Sequence, residues 1–387
     1  MDIVHFVENL ERGGLERTVI DLISAQRAMG HRCRVVCLYE PGQLAVELQE
    51  QDVEVEACRK RRGMDWRGMR RVRDALKRMP GAVLHTHNAG AHYHAVLAAL
   101  GLPFACVVNT RHGMGVNGPR NRKEWLYRRS MPGTDYVVGV CEAVRRCFEG
   151  QGVRPRKALL AIPNGIRLER FTPSTSEARS GLAEEMGWHS DSLVIGTVGR
   201  LQPVKDQVRL LHALHALRSQ VARAVLVIVG DGSMRAELER KAESLGLSDS
   251  VRFLGDRDDV PRLLSGMHVF ALPSRSEGYS LALLEACASA LPIVATDVGG
   301  NADIVRDGIN GRLVAQGDES ALASALCELC LDPPLAERMG RSGREWVLTE
   351  GSFQTMATRY QDIYSGSTGG QLAALVPEAW CIPVPDV

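Results

Sequence analysis

The chain has 387 residues, 45% of them hydrophobic and 24% charged, with a formal net charge of +1. That length predicts two α/β-sized domains rather than one, and the balanced composition argues against a disordered or fibrous chain. No apolar run reaches the roughly 18–20 residues of a membrane span, since the longest candidate, 95–108, is broken by Gly101 and Pro103.

The opening residues 1–7 read as a buried strand with no basic stretch before them, so no secretory leader is expected. The ten cysteines are scattered through apolar segments, among them Cys33, Cys37, Cys106 and Cys287. That pattern points to reduced thiols in a cytoplasmic protein rather than a disulfide scaffold. The net charge conceals a split: residues 1–165 hold 26 Lys/Arg against 17 Asp/Glu, and the remainder 21 against 29. One basic group runs from Arg59 to Arg73, and a second comprises Arg120, Arg122, Lys123, Arg128 and Arg129 around Trp125 and Tyr127. Both read either as solvated helix faces or as a surface for anionic lipid or a phosphorylated acceptor. No reader motif supports nucleic acid as a partner.

Along the chain, short β-branched runs alternate with helical stretches, twice over. The first series predicts strands at 2–7, 33–39, 53–57, 82–86, 104–109 and 136–140, with helices at 14–29, 43–51, 66–79, 91–100, 121–131 and 142–150. A turn at Ala161–Ile166 and the Pro/Ser-rich stretch 172–180 read as the linker. The second series predicts strands at 193–198, 224–229, 251–254, 268–272, 292–295 and 312–314 with helices between. Alternation of this kind implies parallel sheets covered on both faces, here two in tandem with a cleft between them. A helix at 351–364 closes the folded part, and 365–387 reads as a loosely ordered tail.

Several segments could carry chemistry. Gly13-Gly14 opens a helix just after the first strand, where backbone N–H groups can meet a phosphate. The histidines His85, His87, His92 and His94 cluster, with His112 after the next strand. His85 and His87 share one strand face, an arrangement read as packing in preference to a metal site. In the second half, Gly199-Arg200 ends a strand and Lys205 follows, so both cations could reach one diphosphate. The stretch Glu277-Gly278-Tyr279-Ser280-Leu281 leads into an apolar helix carrying Glu285, with Ser280 as its expected N-cap. Its N–H groups would then face a crevice at the carboxyl end of a strand, where α/β sheets bind phosphates. Asp259 is expected to cap a helix, and Cys327-x-x-Cys330 reads as packing.

With Gly13-Gly14, His112, Pro163-Asn164-Gly165, Gly199-Arg200…Lys205 and Glu277-Gly278…Glu285 in this order, residues 1–364 resemble the retaining glycosyltransferases of family 4. The resemblance implies the GT-B fold: two Rossmann-like, doubly wound parallel-sheet domains facing across a cleft. They would be an acceptor-binding domain 1–165 and a nucleotide-sugar-binding domain 166–350, with the helix 351–364 returning to the first. Catalytic roles would fall to His112, Arg200, Lys205 and Glu277. Gly13, Gly14, Arg200, Lys205, Glu277, Gly278, Tyr279, Ser280, Leu281 and Glu285 would bind the donor. His87, Arg120, Arg122 and Lys123 would lie on the acceptor side. The implied reaction moves a sugar from a nucleotide donor, UDP first and GDP as the alternative, to a glycan or lipid-linked acceptor of polysaccharide synthesis. It needs no cofactor or metal. The enzyme would be cytoplasmic, peripheral at the inner membrane face. Tyr279-Ser280 and Asp206 depart from the family's commoner residues. The alternatives are a GT-B sugar-nucleotide epimerase and a non-catalytic sugar-nucleotide-binding scaffold.

Overall fold

The computed structural model describes residues 1–11, 13–113 and 122–366. They divide into two compact units, Met1–Gly165 together with the chain from Phe353 on, and Ile166–Ser352. Where the chain passes between units, Ile166 and Ser352 form a parallel bridge, and the Ile166 N–H donates to the Gly351 carbonyl at 2.8 Å.

The first unit holds seven strands: β1 (Asp2–Val7), β2 (Arg32–Cys37), β3 (Glu54–Ala57), β4 (Val83–His87), β5 (Cys106–Arg111), β6 (Tyr136–Gly139) and β7 (Ala158–Ala161). Their order is β3-β2-β1-β4-β5-β6-β7, every neighbouring pair parallel. The strand order reverses between β1 and β4, the place where doubly wound sheets take their ligands. One face is covered by the helices Gly14–Ala28 and Phe353–Ser365 through Val19, Ile23, Met356 and Tyr360. The other is covered by the helices Trp66–Leu76 and Asn88–Ala99 through Val72, Leu76, Ala91 and Ala95.

The second unit has six parallel strands: β8 (Leu193–Val198), β9 (Ala224–Val229), β10 (Val251–Gly255), β11 (Val269–Leu272), β12 (Ile293–Thr296) and β13 (Gly311–Val314). Their order, β10-β9-β8-β11-β12-β13, reverses between β8 and β11. Cys327 and Cys330 are buried in the helix Glu319–Leu331, as packing residues. None of the described cysteines is in a disulfide. Among the described residues no helix is long and apolar enough to cross a membrane.

Two elements differ from the sequence reading. β7, with the sequence Ala-Leu-Leu-Ala, has no β-branched residue to signal it and forms by pairing with β6 at the sheet edge. The helix Ser176–Glu185 begins inside the stretch read as a linker, started by Thr175, whose hydroxyl accepts the Ala178 N–H at 3.2 Å. The tail beyond Gly366 lies outside the described residues.

Candidate functional site

In the second unit the site is built by the loops that follow β8 and β11, the strands flanking the order reversal. Gly199 follows β8 with φ +154, and Arg200 comes next, exposed. Close packing holds this turn: a Cβ on Gly230 would lie 2.3 Å from the Gly199 carbonyl oxygen, and one on Gly232 2.3 Å from that of Leu201. Lys205 closes a short 3-10 turn, Pro203–Lys205. Three contacts clasp this loop to the one after β11. The Arg275 N–H donates to the Val204 carbonyl at 2.7 Å. The Arg275 guanidinium makes a two-pronged pair with Asp206 at 2.9 and 3.0 Å. The Lys205 ammonium donates to Glu277 Oε1 at 2.6 Å.

Glu277, only 9% exposed, also accepts the buried Ser274 hydroxyl at 2.6 Å. Gly299, at φ +57, lets the loop after β12 lie against it, because a Cβ there would sit 1.8 Å from the Glu277 carbonyl oxygen. Residues 72 apart in sequence thus form one ion pair at the switch point. Asp206 adopts the left-handed conformation, φ +50, which explains why a glycine or asparagine suits that place. Burial raises the Asp206 pKa, but hydrogen bonds from Arg275 and Arg209 outweigh this and hold it below the usual range.

The helix Leu281–Ala288 begins at Ser280, as expected, but the Ser280 hydroxyl makes no capping hydrogen bond. The first-turn N–H groups therefore receive nothing from that side chain. The Tyr279 ring is 7% exposed, Leu281 is half-buried, and the Gly278 carbonyl accepts the Gly300 N–H at 3.0 Å. Glu285 is half-buried one turn further along; burial pushes its carboxyl up to about 7, with the charge of Arg170 working against the shift. Asp259 occupies the N-cap position of Val260–Ser265 without capping it, and its carboxylate instead clamps Arg257 and Arg262.

In the first unit Gly13 is the N-cap of Gly14–Ala28, in extended backbone. His112 follows β5, its N–H donating to Asn88 Oδ1 at 3.2 Å. His87 ends β4 and is 2% exposed, so its ring is enclosed by protein rather than presented at a surface. Its Nε2 meets His5 Nδ1 at 3.1 Å and its Nδ1 meets His112 Nε2 at 3.2 Å. His5 lies opposite His85 in the β1–β4 register, a juxtaposition the sequence gives no sign of. The ring nitrogens of His5, His85 and His87 approach within 4.8 Å of one another, a spacing that could hold a metal. Every one of those nitrogens already has a protein partner, His85 binding Thr110 and Tyr364, and His5 binding Gln26 as well as His87. Arg122 and Lys123 line a concavity of about 810 Å³ with Lys60, Arg62, Trp66 and Leu97, while Arg120 lies outside the described residues.

Two Rossmann-type parallel sheets, the second with cations and a buried acid at its switch point, have the GT-B architecture. The descriptions "Glycosyltransferase Family 4" and "Glycosyl transferases group 1" match residues 12–170 and 182–346, and the chain belongs to this family. A GDP-mannose-dependent alpha-(1-6)-phosphatidylinositol monomannoside mannosyltransferase of Mycolicibacterium smegmatis is 34% identical over 62% of this chain and 64% of that protein. The chain thus spans a little under two thirds of that relative's length. A UDP-Gal:alpha-D-GlcNAc-diphosphoundecaprenol alpha-1,3-galactosyltransferase of Escherichia coli is 27% identical over 75% of this chain and 76% of that one. Among solved structures, Anabaena HepE in complex with UDP superposes with a TM-score of 0.84 at 21% identity, over 95% of this chain and 100% of its own.

Proposed function

We propose that the protein is a retaining glycosyltransferase that moves a sugar from a nucleotide-sugar donor, UDP-linked in the first instance, to a glycan or lipid-linked acceptor. The observation that carries this reading is the Lys205–Glu277 pair at the β8/β11 switch point, on a loop shared with Arg200. A lysine ammonium has three protons. One goes to Glu277, leaving two for a diphosphate, and the uncapped start of Leu281–Ala288 adds backbone N–H groups of the same sign.

As the sugar–phosphate bond breaks through an oxocarbenium-like state, negative charge grows on the departing phosphate. Lys205, held by Glu277, and Arg200 stabilise it there. Glu277 holds sugar hydroxyls, and Glu285 the ribose. The departing phosphate oxygen takes the acceptor's proton on the same face, which retains the anomeric configuration. These two cations supply the countercharge, so the reaction runs without a metal. Relatives named for phosphatidylinositol-mannoside and diphosphoundecaprenol acceptors support a lipid-linked acceptor. So does the first unit's surface, where Met64, Trp66 and Leu97 are exposed near Arg61, Arg62 and Arg67. This is the composition of a face that lies on an anionic membrane.

The test is a thermal-shift panel of UDP, GDP, UDP-glucose and GDP-mannose, with and without EDTA. A shift selective for one base, insensitive to EDTA and lost in Arg200→Ala, is expected. No shift with any nucleotide at millimolar concentration overturns the reading. For the membrane, charge reversal at Arg61, Arg62 and Arg67 should abolish co-sedimentation with anionic liposomes, and indifference to the change refutes it.

A further inference from the structure

The buried polar groups behind His112 form one continuous chain of hydrogen bonds. Gln26, on the helix Gly14–Ala28, is 1% exposed. Its side-chain amide donates from Nε2 to the Tyr364 oxygen at 3.1 Å and accepts at Oε1 from His5 Nε2 at 2.8 Å. From His5 the chain continues through His87 to His112. A second arm runs from Tyr364 to His85 Nδ1 at 2.6 Å, then from His85 Nε2 to Thr110 at 2.8 Å and on to Tyr360 at 2.7 Å.

Both arms could in principle run in either direction, and the orientation of the Gln26 amide sets it. Its Nε2, which can only donate, faces the Tyr364 oxygen, so the Tyr364 hydroxyl proton goes to His85 Nδ1. Gln26 Oε1 then faces His5, where the Cys33 thiol approaches it as well at 3.8 Å. Burial lowers the pKa of His5 and His112 to about 4 and of His87 well below its ordinary value, so each ring is neutral near pH 7. A neutral imidazole has one donor and one acceptor nitrogen. His5 donates to Gln26 from Nε2 and so accepts at Nδ1. His87 donates to it from Nε2 and so accepts at Nδ1. His112 donates there from Nε2, which leaves its own Nδ1 with a bare lone pair. That Nδ1 is buried and has no hydrogen-bond partner among the described residues.

We propose that the Gln26 amide, acting through His5 and His87, locks His112 in the Nε2–H tautomer, reserving Nδ1 as an acceptor for a hydroxyl of the bound sugar. The sugar part of this assignment rests on the glycosyltransferase reading above; the tautomer part does not. Gln26, His5 and His87 are positioning residues. His112 so held cannot donate from Nδ1, so it takes a hydroxyl in preference to a phosphate and is no proton donor to the leaving group.

Long-range 15N–1H correlation spectra of the full chain, with labelled histidine and His112 assigned through His112→Gln, read the tautomer directly near pH 7. The expected result is His112 protonated at Nε2 and bare at Nδ1. In Gln26→Met, His112 should become a mixture of tautomers and kcat/KM for the donor should fall about threefold to tenfold, the worth of one hydrogen bond. Gln26→Glu, whose carboxylate can still accept from His5, should keep the wild-type tautomer. His112 protonated at Nδ1 in the wild type overturns the proposal whether or not any variant folds, and an unchanged tautomer in folded Gln26→Met overturns the role of Gln26. Adding UDP-glucose or GDP-mannose should move the His112 Nδ1 signal. If neither does while the tautomer is as stated, the sugar assignment falls and the relay stands.

Discussion

Removing Glu277 separates the stability of the Lys205–Glu277 pair from its use. The acid is 9% exposed and the lysine side chain 23%, so the pair lies between a surface ion pair and a fully buried one. Stripping one partner from a fully buried pair costs about 3–5 kcal/mol, while exposed pairs are worth about 0–1 kcal/mol. Water can still reach the lysine, which places Glu277→Ala at a loss of about 2 kcal/mol, or roughly 4–8 °C in Tm for a unit of this size. Replacing both partners, as Lys205→Met/Glu277→Met, leaves no unpaired charge. Only the Ser274 hydroxyl then lacks its acceptor, and stability should return to within about 1 kcal/mol of wild type. Activity should not return: both variants are expected to lose about 10²-fold or more in kcat, as for removal of preorganised transition-state contacts. Differential scanning calorimetry and a nucleotide-release assay on the same preparations check both halves. A double variant within tenfold of wild-type activity would show that the pair is scaffolding, and would refute the reasoning.

Gly299→Ala puts a methyl against the Glu277 carbonyl at a positive φ, so it should displace the acid. More than tenfold loss of activity is expected, with a measurable fall in Tm; full activity would mean that the loop is not held as described. Asp206→Ala loses both arginine partners and leaves alanine in the left-handed conformation, for about 1–3 kcal/mol in denaturant unfolding, whereas Asp206→Asn, at ease in that conformation, should cost less. The carboxyl pKa of Asp206 is depressed, so its contribution is present above the unfolded value and lost as pH falls through the folded one. Glu285 behaves oppositely: with its pKa raised from 4.5 to about 7, its contribution is complete below the unfolded value and lost as pH rises through 7. Glu285→Gln should therefore be more stable than wild type at pH 8 and no more stable at pH 5, and Tm measured across that range would expose a wrong sign.

What the sequence makes legible is what each strand end states by itself. Arg200, Lys205 and Glu277 sit just beyond apolar strands, and Gly199 and Gly278 mark the turns, so the charged groups can be named without knowing the strand order. Their meeting cannot. It depends on β8 and β11 being neighbours across the order reversal, and on Arg275, whose backbone and guanidinium tie the two loops and which looks in sequence like any exposed arginine. Gly230, Gly232 and Gly299 were equally silent, because what makes them glycines is the backbone of another loop packed against them. Ser280 shows the limit from the other side: its position as N-cap was readable, its missing cap bond was not.

The first unit carries the same lesson further. His85 and His87 could be placed on one strand face by period-2 alternation, but His5 joins them only through the parallel β1–β4 register, and Gln26 only through the helix over that face. Both units thus gather their unusual polar groups at the point where the strand order reverses, yet with different chemistry. The β8/β11 loops hold full charges, Arg200, Lys205, Glu277 and Asp206, suited to an anion and to the countercharge a leaving diphosphate needs. The β1/β4 side holds neutral imidazoles whose hydrogen bonds have direction but no net charge, suited to hydroxyl groups. Burial enforces that division, because histidines enclosed this deeply cannot take up a proton near neutral pH and so cannot imitate the cations of the second unit. The same fold, used twice, therefore carries full charges at one switch point and neutral, directional imidazoles at the other.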